Sequence, residues 1–160
     1  LKFFIEPVIV FLNYLKLNNN YENVSMIGFS GGGWSTLVSS AIDKNINYSF
    51  IAAAPKPLMF KNPYEYDCYE LSHKNFSRLI NYFDLYIMSS FGSKNALIEI
   101  VNINEKNNYS HNLYEKPIVD SLNNLGKGLY EIQVDKNNFN HYLSHESLIY
   151  IHEKIQDLSI

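Results

Sequence analysis

The stretch Val24-Ser25-Met26-Ile27-Gly28-Phe29-Ser30-Gly31-Gly32-Gly33-Trp34 decides how this chain is read. It begins as a short apolar strand, passes through Gly-x-Ser-x-Gly, and runs into a helix of small residues from Ser35 to Ala41. Leu37, Val38 and Ala41 of that helix are spaced to face a sheet. A serine between glycines at a strand-to-helix turn is the setting of a nucleophile elbow. The bend is tight, so Ser30 is expected in a strained backbone conformation, with Gly28 and Gly32 removing collisions two residues away. The hydroxyl would then stand above the sheet at the N-terminus of the helix. The backbone N–H of Gly31 would point toward an oxyanion there.

Two other readings of the same residues fail at named positions. As a phosphate loop, Gly28 and Gly33 have the right separation, but Trp34 follows where lysine is needed. As a dinucleotide fingerprint, the glycine spacing is wrong. The nearby acid, Asp43, also falls at the end of the helix and not at the tip of a second strand.

With 160 residues the chain is long enough for one domain with a real core. Hydrophobic residues at 46% against 18% charged mark it as globular. The net charge is −3, without a basic run or aromatic–basic interleaving, so nucleic acid is not an expected partner. Cys68 is the sole cysteine, which excludes an intramolecular disulfide and a cysteine-based zinc site. Asn, Ile, Tyr and Lys are heavily used, and that bias by itself carries no functional weight.

The apolar start, Lys2 to Leu17, is interrupted by Glu6 and carries Asn13 and Lys16. Its unbroken part is shorter than the roughly 20 residues a membrane span needs, and no small-residue cleavage site follows. A partly buried helix from about Glu6 to Leu17, opened by Pro7, is expected instead. The elbow strand follows, over Asn23 to Phe29. Further strands are expected over Tyr48–Ala54, Ala96–Val101 and Leu129–Val134, and helices over Tyr64–Phe91 (with one break near Ser72 or Asn75), Pro117–Leu125 and His145–Leu158. Ser144 is placed to cap the last helix. Strands alternating with helices predict an α/β fold, a parallel sheet with helices on both faces in three layers.

Ser30 after the first strand, an acidic loop after the third and His141 after the fourth stand in the order Ser, acid, His. In that order the chain resembles the α/β-hydrolase superfamily. The resemblance covers nearly the whole sequence but matches only the C-terminal portion of such an enzyme. It implies a single hydrolase-like domain over residues 1–160, a fragment lacking the N-terminal strands. Those strands supply a second oxyanion donor in the superfamily. It also implies that 64–91 occupies the place of a helical cap or lid.

The site residues follow from the motif and the resemblance together. Ser30 would be the nucleophile. His141, in the loop between the last strand and the last helix, would be its general base. His145 is the reserve for that role. His73, His111 and His152 read as cap, loop and outer-helix residues. Hydrolases often carry Gly-x-x-Asp after the third of these strands, where this chain has Asn104-Glu105-Lys106-Asn107. Asn107 falls at the aspartate position, and Glu105 lies two residues earlier. An amide there cannot stabilise the imidazolium and can impose the wrong tautomer, at a cost of about 10⁴ in rate. Either Glu105 reaches in, or the triad is broken. Asp67 and Asp84 are more distant alternatives.

Trp34, Tyr64, Tyr66, Tyr69, Phe76, Tyr82, Phe83 and Tyr86 either line an acyl pocket or form core. No cofactor is implied and no metal-ligand set is evident. The expected activity is serine hydrolysis of an ester or amide, acting on a small molecule or peptide with a carbonyl. The alternatives are a non-catalytic hydrolase-fold binding module and an inactive truncated hydrolase.

Overall fold

Parallel strands that neighbour one another in chain order must be joined by right-handed crossovers, and those put every connecting helix on one face. The computed structural model, which describes residues 2–18, 20–57, 74–103 and 111–159, follows that rule. Its elements are α1 (Lys2–Asn18), β1 (Ser25–Phe29), α2 (Gly31–Ile42), β2 (Tyr48–Ala52), α3 (Lys74–Leu79), α4 (Tyr82–Ser90), β3 (Ala96–Asn102), α5 (His111–Leu125), β4 (Leu129–Asp135) and α6 (His145–Leu158). The sheet has four parallel strands in the order β1-β2-β3-β4.

Alternation along the strands divides the core in two. Ile51, Leu97 and Tyr130 face one side, where they pack with Trp34, Leu37 and Val38 of α2, Leu85 and Tyr86 of α4, and Tyr114, Ile118 and Leu122 of α5. Ile5 of α1 joins this cluster. Tyr48, Phe50, Ala52, Ala96, Ile98 and Ile100 face the other side, under Ile151 of α6. Both faces of β3 are therefore covered, and all seven of its residues are buried. Each large side chain so enclosed is worth about 1.5–3 kcal/mol relative to exposure.

Several expected boundaries shift. α1 begins at Lys2, so Pro7 lies inside it and does not start it. Pro7 is the sixth residue of the helix, so α1 forgoes the backbone hydrogen bond that this position would otherwise donate to the Phe3 carbonyl. α5 begins at His111, which makes His111 a helix residue and places Pro117 in the interior. α2 begins at Gly31 directly after the elbow, four residues earlier than its apolar pattern suggested. β2 stops at Ala52 because Ala53 takes a positive φ of 45°. Of the expected cap over 64–91, residues 64–73 lie outside the described residues. The later part, α4, is a crossover helix packed on α2, β3 and β4, with its N-terminus closed by an Asn81–Asp84 capping box. Trp34, Phe76, Tyr82 and Tyr86 are core residues and Phe83 packs against them, while Tyr64, Tyr66 and Tyr69 lie outside the described residues. No helix among the described residues is long and apolar enough to cross a membrane.

Candidate active site

In a parallel sheet the carboxyl ends of all strands meet at one edge, which is where such folds place their chemistry. Here β1 delivers Ser30, β2 delivers Ala53, β3 ends on Asn102, and β4 ends on Asp135 before the loop that carries His141.

Ser30 has φ 55° and ψ −122°. A non-glycine side chain rarely adopts this region, and holding it there costs about 1–3 kcal/mol. The surroundings enforce it. The Ser30 N–H donates to the Ala52 carbonyl at 2.8 Å, and the Ser30 carbonyl accepts from the Trp34 N–H at 3.2 Å. Ser30 is thus tied to the neighbouring strand on one side and to the first turn of α2 on the other. It occupies the N-cap position of α2, yet its side chain makes no capping hydrogen bond. Serine at this position ordinarily accepts from a first-turn amide. The twisted backbone carries this hydroxyl away from that geometry.

The glycines around the turn do different jobs. A β-carbon at Gly28 would overlap the Gly32 carbonyl oxygen and the Thr36 hydroxyl. One at Gly33 would come within 2.8 Å of the Ala54 β-carbon. Gly31 and Gly32 face open space. The expectation that Gly32 relieves a side-chain collision is therefore corrected. Gly28 and Gly33 let α2 settle against the strand ends, and at Gly32 it is the backbone carbonyl that needs the room. Ala53 was missed by sequence reading. It stands beside Ser30, since Phe29 and Ala52 are register partners, and its N–H donates to the Ile100 carbonyl at 3.0 Å. Ser30 and Ala53 are the non-glycine residues with positive φ among those described. Backbone strain is thus gathered at the ends of two adjacent strands.

His141 comes from near the other end of the chain to this same edge. Its ring packs on Phe29, the residue before Ser30, with centroids 4.7 Å apart and planes tilted by 49°. The residue is exposed. His145 is the first residue of α6, also exposed, and His152 lies exposed further along the same helix. Glu105 and Asn107, the two candidates for the acid, lie outside the described residues, as do Asp67 and His73. Asp84 belongs to the capping box of α4. Among the described residues no group of acidic, histidine or cysteine side chains could hold a metal ion.

The loop between β4 and α6 is built around buried polar groups. Asp135 accepts hydrogen bonds from the Ser144 hydroxyl, from the Ser147 hydroxyl at 2.7 Å and from the Asn137 N–H at 3.1 Å. Burial pushes its carboxyl up, but the two hydroxyls and the amides of Asn137 and Asn138 together hold it below the usual aspartate range. Asn102 and Asn138 are buried too. The Asn102 side-chain amide donates to the carbonyls of Asn140 at 3.0 Å and Tyr142 at 3.2 Å. That of Asn138 donates to Asn102 Oδ1 at 3.0 Å and to the Tyr142 carbonyl at 2.6 Å. The strand expected from the sequence stops at Val101, short of Asn102, and the asparagine-rich composition gives Asn138 no distinction. The available signal was an amide at the last position of an apolar strand.

A second buried carboxylate lies deeper. Glu99 of β3 accepts from the hydroxyls of Tyr114 at 2.9 Å and Tyr130 at 2.5 Å, inside the helix-covered core. Burial pushes its carboxyl above the ordinary glutamate range, against the opposing pull of the two hydroxyls. No protein-family model and no curated protein matches this chain.

Proposed function

We propose that the protein is a serine hydrolase of the α/β-hydrolase kind, cleaving a carboxylic ester or amide through an acyl-enzyme on Ser30. One observation carries the reading. Ser30 is held at φ 55° and ψ −122° on the N-cap of α2 without capping it. Such strain persists only where surrounding structure over-determines it, and it concentrates at functional sites.

In this scheme the Ser30 hydroxyl attacks the carbonyl carbon, and His141 takes its proton. The tetrahedral oxyanion lies against the N-terminus of α2, where the Gly31 N–H and the helix dipole favour negative charge. His141 then protonates the leaving group, and water reverses the sequence to release the acid. Packing of the His141 ring on Phe29 supports this assignment, because it brings the only loop between β4 and α6 to the elbow. The acid that orients the imidazole is Glu105 or, in its absence, the triad is incomplete at Asn107.

Hydrolysis of short-chain p-nitrophenyl esters tests the proposal. Turnover that disappears in Ser30→Ala and falls in His141→Ala supports it. Turnover indifferent to both substitutions overturns it. Asn107 at the aspartate position favours a second reading, a hydrolase-fold binding module without catalysis. That reading expects no turnover from a folded chain whose unfolding temperature still rises with a carbonyl ligand.

A further inference from the structure

We propose that Asn102 and Asn138 are positioning residues, an amide clamp that fixes the backbone of residues 140–142 and thereby sets the His141 ring against Phe29 beside Ser30. Its catalytic consequence rests on the hydrolase reading above. The positioning itself does not.

The loop 136–144 has no regular secondary structure, so its backbone polar groups need other partners. The two asparagines supply them on both sides of His141. Asn102 holds the carbonyl before it and the carbonyl after it, through the two hydrogens of one amide. Asn138 holds the same Tyr142 carbonyl, and its Oδ1 accepts from the Asn140 N–H at 3.2 Å. The two side chains are joined, since Asn138 Nδ2 donates to Asn102 Oδ1. A further backbone bond, Tyr142 N–H to the Asn140 carbonyl at 3.0 Å, tightens the bend around His141.

Every polar atom of both amides is engaged, and this fixes which end of each amide is oxygen and which is nitrogen. Either amide turned over would set carbonyl against carbonyl. The clamp is also anchored at both ends of the loop's reach. Asn102 is the last residue of β3, paired in register with Asp135, the last residue of β4. Asp135 in turn secures the start of α6 through Ser144 and Ser147. His141 is thus an exposed side chain on a backbone whose position is set by buried groups. That combination suits a base, which must meet solvent and substrate yet not wander. Misplacement by about 1 Å can lower such a rate about 100-fold.

Asn138→Asp is nearly isosteric but faces a carboxylate oxygen toward the Tyr142 carbonyl and Asn102 Oδ1. Asn102→Ala removes the other half. For each variant and the wild type, NMR reads the proximity of the Phe29 and His141 rings, and a fluorophosphonate probe reads the reactivity of Ser30. The expected result is a folded variant that has lost the ring contact and labels about 100-fold more slowly. Added imidazole should restore part of the labelling, as it should for His141→Ala, because the nucleophile is intact and only the base is displaced. A collapsed site would not respond to imidazole.

A folded variant that keeps both the ring contact and the labelling overturns the clamp. Loss of contact with unchanged labelling overturns its catalytic role. Absence of labelling in the wild type removes the hydrolase reading, and the ring contact alone then decides the clamp. If both variants fail to fold, hydrogen exchange of the Asn140 amide in the wild type decides. Protection of that loop N–H supports the clamp, and free exchange contradicts it.

Discussion

Ser30 and Ser144 both stand at the N-cap of a helix that follows a parallel strand. Ser144 has φ −72° and ψ 163°, and its hydroxyl accepts from the Ser147 N–H at 3.0 Å while donating to Asp135. Ser30 has φ 55° and ψ −122° and caps nothing. Ser144 uses its hydroxyl to hold its helix. Ser30 is tied to the Ala52 carbonyl and to the first turn of α2 in a backbone conformation that leaves its hydroxyl out of the cap. Residue type and helix position are the same, so the backbone alone separates a structural serine from a candidate nucleophile.

The contrast breaks most sharply at His141, the proposed base. His141→Ala is expected to slow fluorophosphonate labelling of Ser30 by about 10²–10⁴-fold, the usual contribution of a general base. The same substitution should barely change urea unfolding, since the ring is exposed. The next largest effect is expected in the turn. Gly28→Ala sets a β-carbon into the Gly32 carbonyl and should lower stability by about 3 kcal/mol, with labelling lost as the bend opens. Gly32→Ala, which meets nothing, should leave the unfolding free energy within about 0.5 kcal/mol of the wild type.

The two serines themselves should then respond in opposite directions. Ser144→Ala is expected to cost about 1 kcal/mol through the lost cap, with Ser30 still reactive. Ser30→Gly should raise stability by about 1 kcal/mol by relieving the positive φ, with reactivity gone. Urea titrations paired with labelling would show both.

The smallest effects are expected from the two buried carboxylates. Burial raises the Glu99 carboxyl in the folded state, so the folded chain holds that proton more tightly than the unfolded one. Its contribution is complete below the ordinary glutamate value and is lost as pH rises through the raised one. Glu99→Gln should remove that decline. Asp135 is burdened by burial but held low overall by its hydroxyl and amide donors, so the sign reverses. Its contribution is present above the ordinary aspartate value and is lost as pH falls through the depressed one. Urea midpoints measured across pH separate the two.

What could be read from the sequence was what local pattern encodes. The apolar runs read as strands over Tyr48–Ala54 and Ala96–Val101 are β2 and β3, which end at Ala52 and Asn102, and they are apolar because both of their faces are covered. Ser144 followed by a periodic helix gave the start and end of α6 correctly. The Gly-x-Ser-x-Gly turn announced itself through residue type. The misread features depend on contacts between distant residues. Nothing near Ala53 in sequence marks its positive φ, which arises from its position between the elbow and β3. Gly33 looks like one glycine among several until Ala54 comes against it. Asn102 and Asn138 look like compositional bias until the fold joins them across 36 residues. Periodicity also placed 64–91 in helix without showing that its later part, α4, packs into the core on one face of the sheet.

Intact-mass spectrometry of the folded chain after exposure to a fluorophosphonate probe puts the difference between the two serines to the most direct test. One adduct is expected, mapped to Ser30, absent in Ser30→Ala and retained in Ser144→Ala. A folded wild-type chain that takes no adduct, or an adduct that persists when residue 30 is alanine, would contradict the account.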